Sequence, residues 1–198
     1  MKNLFIILFV FVFGTFLSSC SKTNKAVDEY CNCASSILTD SLISVEFLDT
    51  IHKNCFDSII IKKYELNKDN EFITGFDSIQ SVKDLRKKIN SKISENINNI
   101  LIKYSFQTVP DIMINDARTY LFDGKMFTQI LYKMQSLWSG WEEVKRFTGT
   151  YKVEVENNGN AYVIISFTGN ENDIYKLSKS IKDGYYLKGR RTLWQENK

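Results

Sequence analysis

The amino-acid sequence predicts an α+β protein, an N-terminal helical hairpin and a long amphipathic helix packed with a C-terminal antiparallel β-sheet. Three observations carry this expectation. From Val27 to Tyr104 apolar residues recur at three- and four-residue steps, as on one face of a helix. Past Pro110 the period changes to alternation, with Asp123-Gly124 and the stretch Asn157–Asn160, containing Gly159, between the alternating runs. A hydrophobic content of 43% beside 25% charged residues is that of an ordinary globular chain.

The helical region is expected over 26–107. Val27, Tyr30, Cys31, Ala34, Ile37 and Leu38 make one stripe, and Val45, Leu48, Ile51, Cys55 and Ile59 a second, with Thr39-Asp40-Ser41 suited to the turn between them. Leu66 to Gln80 is polar and reads as a loop. Ser81 and Asp84 then suit a capping box. Val82, Leu85, Ile89, Ile93, Ile97, Ile100 and Tyr104 follow at heptad-like spacing, with Lys83, Arg86, Lys87, Lys88, Lys92 and Glu95 on the solvated face. The N-terminal hairpin is the expected partner of that apolar stripe.

The β region is expected over 108–198. Asp123-Gly124 joins strands at Ala117–Phe122 and Lys125–Met134. Tyr151, Val153 and Val155 alternate with charged residues, so that strand buries one face, whereas Ala161–Phe167 is apolar on both. Ile174, Leu177 and Ile181 have helical spacing within Asn172–Lys182, with Gly184 just past the helix end. Tyr185 to Trp194 closes as a strand with a bulge at Gly189. This order, with Lys182-Asp183-Gly184-Tyr185-Tyr186-Leu187-Lys188-Gly189 ahead of a late strand, resembles small OB-type barrels. The resemblance implies a partly open barrel as the alternative fold.

The first twenty residues carry a different signal. Lys2 is followed by an apolar run from Leu4 to Leu17, the charged and apolar parts of a secretion signal, and the run is too short to span a bilayer comfortably. Leu17-Ser18-Ser19-Cys20 resembles the lipobox of bacterial lipoproteins. The resemblance implies that residues 1–19 are removed and that Cys20 is acylated. It also implies attachment through two or three chains, each buried methylene contributing about 0.8 kcal/mol. Ser21, where the best-known sorting scheme reads aspartate as an inner-membrane signal, leans towards the outer membrane. Residues 20–25 are then a lipidated tether, and the protein an extracytoplasmic resident of the cell envelope.

Outside the cytoplasm cysteines pair. A hairpin turning near residues 43–44 brings Cys33 beside Cys55, with Cys31–Cys55 as the alternative pairing and one thiol left over. Cys31, Cys33, His52 and Cys55 together also have the composition of a structural zinc site, but Cys-x-Cys on a helix points its sulfurs apart.

No G-x-S-x-G, phosphate-binding glycine loop or H-E-x-x-H occurs, and His52 is the only histidine. Asp111, Asp116 and Asp123 read as turn residues rather than a catalytic carboxylate pair, and Glu142-Glu143 as a solvated turn or helix start. The expectation is therefore a protein without catalysis or cofactor, of binding or assembly type. Trp138, Trp141, Tyr185, Tyr186 and Trp194 are candidates for a groove that takes a glycan or another envelope protein, or else for the core between sheet and helix. As an alternative, Lys182, Lys188, Arg190 and Arg191 interleave with Tyr185, Tyr186 and Trp194 as on an OB-like polyanion or nucleic-acid surface. A net charge of +3 and the envelope location argue against nucleic acid.

Overall fold

A computed structural model describes residues 22–38, 50–108, 116–136, 140–157, 159–167, 172–180 and 184–197. The secretion signal and Cys20 lie outside the described residues. The chain divides into two compact units. The described parts of the first are 22–38 and 50–89, and the second runs from Asn90 to Asn197. The division falls inside the long helix rather than at residue 107, so only the first half of the apolar stripe belongs with the hairpin.

In the first unit, helix α1 spans 22–36. Residues 22–25, expected as part of the tether, are already helical. Helix α2, His52–Lys63, is wound as a π-helix, closed by the bond from the Tyr64 amide to the Ile59 carbonyl. The wider turn changes which residues share a face. Ile51, Cys55 and Ile60 are buried, whereas Ile59, which α-helical spacing selects, is only half-buried. Two links show that α1 and α2 run antiparallel: the Cys33–Cys55 disulfide, with Cα atoms 5.8 Å apart, and Glu29 meeting Lys63 at 2.6 Å.

The segment expected as a loop is mostly structured. A 3-10 turn at Leu66–Lys68, helix α3 at Asn70–Gly75 and a second 3-10 turn at Phe76–Ser78 follow one another. Phe76 is the reason. It is 4% exposed and packs edge-on against Tyr30 and Phe56, anchoring the polar residues around it.

Helix α4, Gln80–Lys103, buries Val82, Leu85, Ile89, Ile93, Ile97 and Ile100. The capping box does not form. The helix starts one residue earlier, with Lys83 bonding back to Ile79, so Ser81 lies inside the first turn while Asp84 accepts from Gln80.

The second unit is a closed antiparallel barrel of eight strands, each paired with its neighbours in sequence. They are β1 Tyr104–Thr108, β2 Asp116–Phe122, β3 Met126–Ser136, β4 Gly140–Val155, β5 Ala161–Phe167, β6 Asp173–Ser180, β7 Gly184–Lys188 and β8 Thr192–Asn197. This overturns the expectation of an open sheet packed on helices. It departs from the OB-type alternative too, since the barrel is complete and its order is a simple meander. The closing contact is β1 with β8, in register from Tyr104 opposite Asn197 to Thr108 opposite Leu193.

Three local features hide this closure in the sequence. The segment expected as a short helix is strand β6, which pairs Tyr175 with Val163 and Leu177 with Leu187. Ile174 and Leu177 have helical spacing, but Tyr175 and Leu177 point inward while Ile174 is 56% exposed, which is the two-residue period of a strand. The single late strand is two, split at Gly189-Arg190-Arg191. And β4 begins at Gly140, with Glu142 and Glu143 inside the ladder opposite Lys133 and Tyr132.

One face of every strand fills the lumen. Phe106, Tyr120, Phe122, Phe127, Tyr151, Val163, Ile165, Tyr175, Leu177, Leu187 and Leu193 are all buried. Some of their rings meet edge-on, as Phe122 does with Tyr151 at 4.9 Å, while Tyr120 and Phe127 stack. Lys152, Glu154, Lys176 and Lys188 are exposed on the outer wall. Among the described residues no helix is long and apolar enough to cross a membrane.

The two barrel ends differ. At one end α4 runs directly into β1, and the Asn90 amide donates to the Glu156 carbonyl beyond β4. Residues 90–103 therefore span that end, with Ile93, Ile97 and Leu101 buried. The other end, where β1, β3, β5 and β7 finish, carries the polar groups.

Candidate ligand-binding site at the barrel mouth

Alternation along β2 sends Asp116, Arg118, Tyr120 and Phe122 to the lumen, with the charged pair nearest the open end. Arg118 donates to Asp116 from Nε at 3.4 Å and from Nη2 at 3.1 Å, and Arg191 stands 3.8 Å from the same carboxylate. Asp116 and Arg118 are largely buried, with side chains 15% and 29% exposed. Burial works against the Arg118 charge. The hydrogen bond and negative charge of Asp116 outweigh it and hold the guanidinium's proton more firmly than usual. Below them Gln129 on β3 donates its amide to the Tyr120 hydroxyl. Burial, reinforced by Tyr120, pushes the neighbouring Tyr175 phenol far up, so it stays a neutral hydrogen-bonding group.

Two adjoining cavities open here, of about 740 and about 290 Å³. Arg118, Asp173 and Arg190 line both; Leu131, Phe147, Phe167 and Ile174 supply the apolar wall of the larger. The ladder between β3 and β4 shifts register just past Leu131, a bulge that bends the wall at this rim. Lys145 Nζ lies 4.6 Å from the centre of the Phe147 ring, so another cation borders the apolar wall. Phe127 and Phe167 close the floor edge-on at 4.9 Å.

The residues singled out from sequence are dispersed. Cys33 and Cys55 form the disulfide of the helical unit, which removes two sulfurs from the four-residue zinc alternative; His52 stacks on Phe56 at 4.5 Å instead. No group of acidic, cysteine or histidine side chains able to hold a metal ion occurs among the described residues. Cys31 keeps a free, half-buried thiol, which burial pushes up despite a hydrogen bond with Ser81. Among the described residues the aromatic side chains expected to form a groove do not come together. Tyr185 faces inward, 6.1 Å from Tyr104, while Tyr186 and Trp194 stack on the outer wall at 5.1 Å. Trp141 is half-buried at the start of β4. Trp138 lies outside the described residues, as do Asp111 and Lys182.

Of the basic residues proposed for an OB-like surface, Lys188 stands on the outer wall while Arg190 and Arg191 go to the mouth. Asp116 and Asp123 sit at opposite barrel ends. Asp123 caps the β2–β3 turn by accepting from the Met126 amide. The residues that build the mouth, Arg118, Gln129 and Asp173, were not singled out from sequence. Their signal is a polar side chain at an inward position of an alternating strand. The chain matches no protein-family model, no curated protein and no solved structure.

Proposed function

We propose that this chain is a lipid-anchored, non-catalytic binding protein of the bacterial cell envelope that receives a small ligand at its barrel mouth. The single observation that carries the binding site is the asymmetry of the lumen. Among the described residues, aromatic and aliphatic side chains fill it through most of its length, and it opens where Arg118, Arg190, Arg191, Asp173 and an apolar wall converge. An eight-stranded barrel is just wide enough to be packed solid or to hold one small molecule. A cavity of this size with a few convergent polar groups is the form small-molecule sites take. The envelope location and membrane attachment rest on the Leu17-Ser18-Ser19-Cys20 lipobox. An envelope protein or glycan as partner has less support, because the aromatic residues that suggested one face different directions.

The test uses the full lipoprotein held in nanodiscs, with empty discs subtracted. Calorimetric titration with 1-naphthoate and with neutral 1-naphthamide should show saturable binding of at least one, abolished in Leu131→Trp, which fills the cavity. Circular dichroism confirms that the variant folds. Absence of saturable binding of both probes overturns the mouth as a ligand site. Incorporation of labelled palmitate, lost in Cys20→Ala, tests the anchor separately.

A further inference from the structure

We infer that the mouth selects a small organic monoanion, a carboxylate carried on an apolar body, and that Arg190 supplies its ion pair. This rests on the mouth being a ligand site and goes further by naming the ligand's charge and shape.

Two of the three guanidiniums at the mouth are already engaged. Arg118 is held by Asp116, and Arg191 shares that carboxylate. Arg190, which lines both cavities, has no ion-pair or hydrogen-bond partner among the described residues. Asp173 is the one carboxylate in the cavity lining, Asp116 is engaged by Arg118 and Arg191, and Lys145 stands beside Phe147, so positive groups outnumber negative ones at the mouth. A guanidinium presents two parallel donors, the geometry a carboxylate accepts bidentately.

The placement of Arg190 is set by its neighbour. Gly189 packs so closely that a Cβ there would meet the Ile174 carbonyl oxygen at 2.5 Å and the Tyr175 ring at 2.7 Å. Its amide also donates to the Arg191 carbonyl at 3.3 Å. The β7–β8 turn is thereby pinned against β6, and Arg190 is presented at the cavity from a fixed point. Leu131, Phe147, Phe167 and Ile174 offer the ligand's body an apolar surface beside that cation. Asp173, in the same lining, repels a second negative charge and sets the preference for a monoanion over a dianion.

The titration described above decides this with two additions. At neutral pH, 1-naphthoate should bind roughly tenfold or more tightly than 1-naphthamide, the scale of one charge-assisted pair. Arg190→Gln should remove that advantage by weakening the acid far more than the amide, whereas Lys188→Gln, on the outer wall, should alter neither. Asp173→Asn should tighten 1-naphthoate and admit 1-naphthyl phosphate. Equal binding of acid and amide, or an Arg190→Gln variant with undiminished preference for the acid, overturns the inference while leaving the mouth as a neutral-ligand site. Absence of binding by either probe overturns both.

Discussion

In the helical unit the strongest tie between elements is covalent, Cys33 to Cys55, whereas the barrel contains no cysteine and closes by backbone pairing of all eight strands. The helical unit is built from short or unusual pieces, a π-helix, two 3-10 turns and the six-residue α3, around one cluster of Tyr30, Phe56 and Phe76. The barrel has a lumen crowded with rings and no edge strand. The difference shows how stability scales with closure. A small helical set buries little area and gains from a cross-link that restricts its unfolded chain. A closed sheet satisfies its backbone groups internally and buries a continuous interior.

The comparison can be broken most sharply at the barrel core. Phe127→Ala removes a ring that touches Phe122, Tyr120 and Phe167. It should cost about 3–5 kcal/mol of barrel stability, read by urea unfolding, with hydrogen exchange of the α1–α2 amides unchanged. A loss below about 1 kcal/mol would show that the interior is not packed as described. Next in size, replacing both Cys33 and Cys55 by alanine opens a loop of 22 residues and should cost about 3 kcal/mol in the helical unit alone. Equal protection of α1 and α2 with and without the bond would contradict this.

The smallest effect is one of pH. Hydrogen bonds from Lys63 and Tyr64 hold the Glu29 carboxyl below its ordinary value of 4.5. A carboxylate whose folded-state value is depressed stabilises the fold above the unfolded value, and that contribution disappears as pH falls through the lower one. The melting-temperature difference between wild type and Glu29→Gln should therefore be largest near neutrality and shrink below pH 4.5. A difference that grows on acidification would reverse the assigned sign. Because this pair is largely solvated, the effect should be slight.

How far the sequence revealed this molecule depended on the range of the signals. The β2–β3 turn was legible because Asp123-Gly124 is a local motif and Gly124 takes a φ of 104°. Strand β5 was legible from its apolar run. Strand β1 was hidden because Tyr104 extends the spacing of the α4 stripe, so the change to a two-residue period rests on Phe106 and Thr108 alone. The β7–β8 turn carries one glycine and two arginines, with no asparagine, aspartate or proline to mark it, so two strands read as one. Closure itself could not be read locally, since it is a pairing between the first strand and the last. The mouth suffered the same way. Arg118, Gln129, Asp173 and Arg190 come from β2, β3, β6 and the β7–β8 turn, and only the register of the finished barrel brings them to one rim.

The seam between β1 and β8 has a consequence for how the protein is made. Ser105 and Glu196, partners across it, stand 91 positions apart. A chain delivered N-terminus first, whether from the ribosome or across a membrane, presents Ser105 well before Glu196. Through that interval the hairpins between them can zip in turn, while β1 waits with a bare edge open to any other extended segment. A message broken before Thr192 would leave the edge bare for good, making such a fragment a target for chaperones and proteases rather than a smaller working barrel.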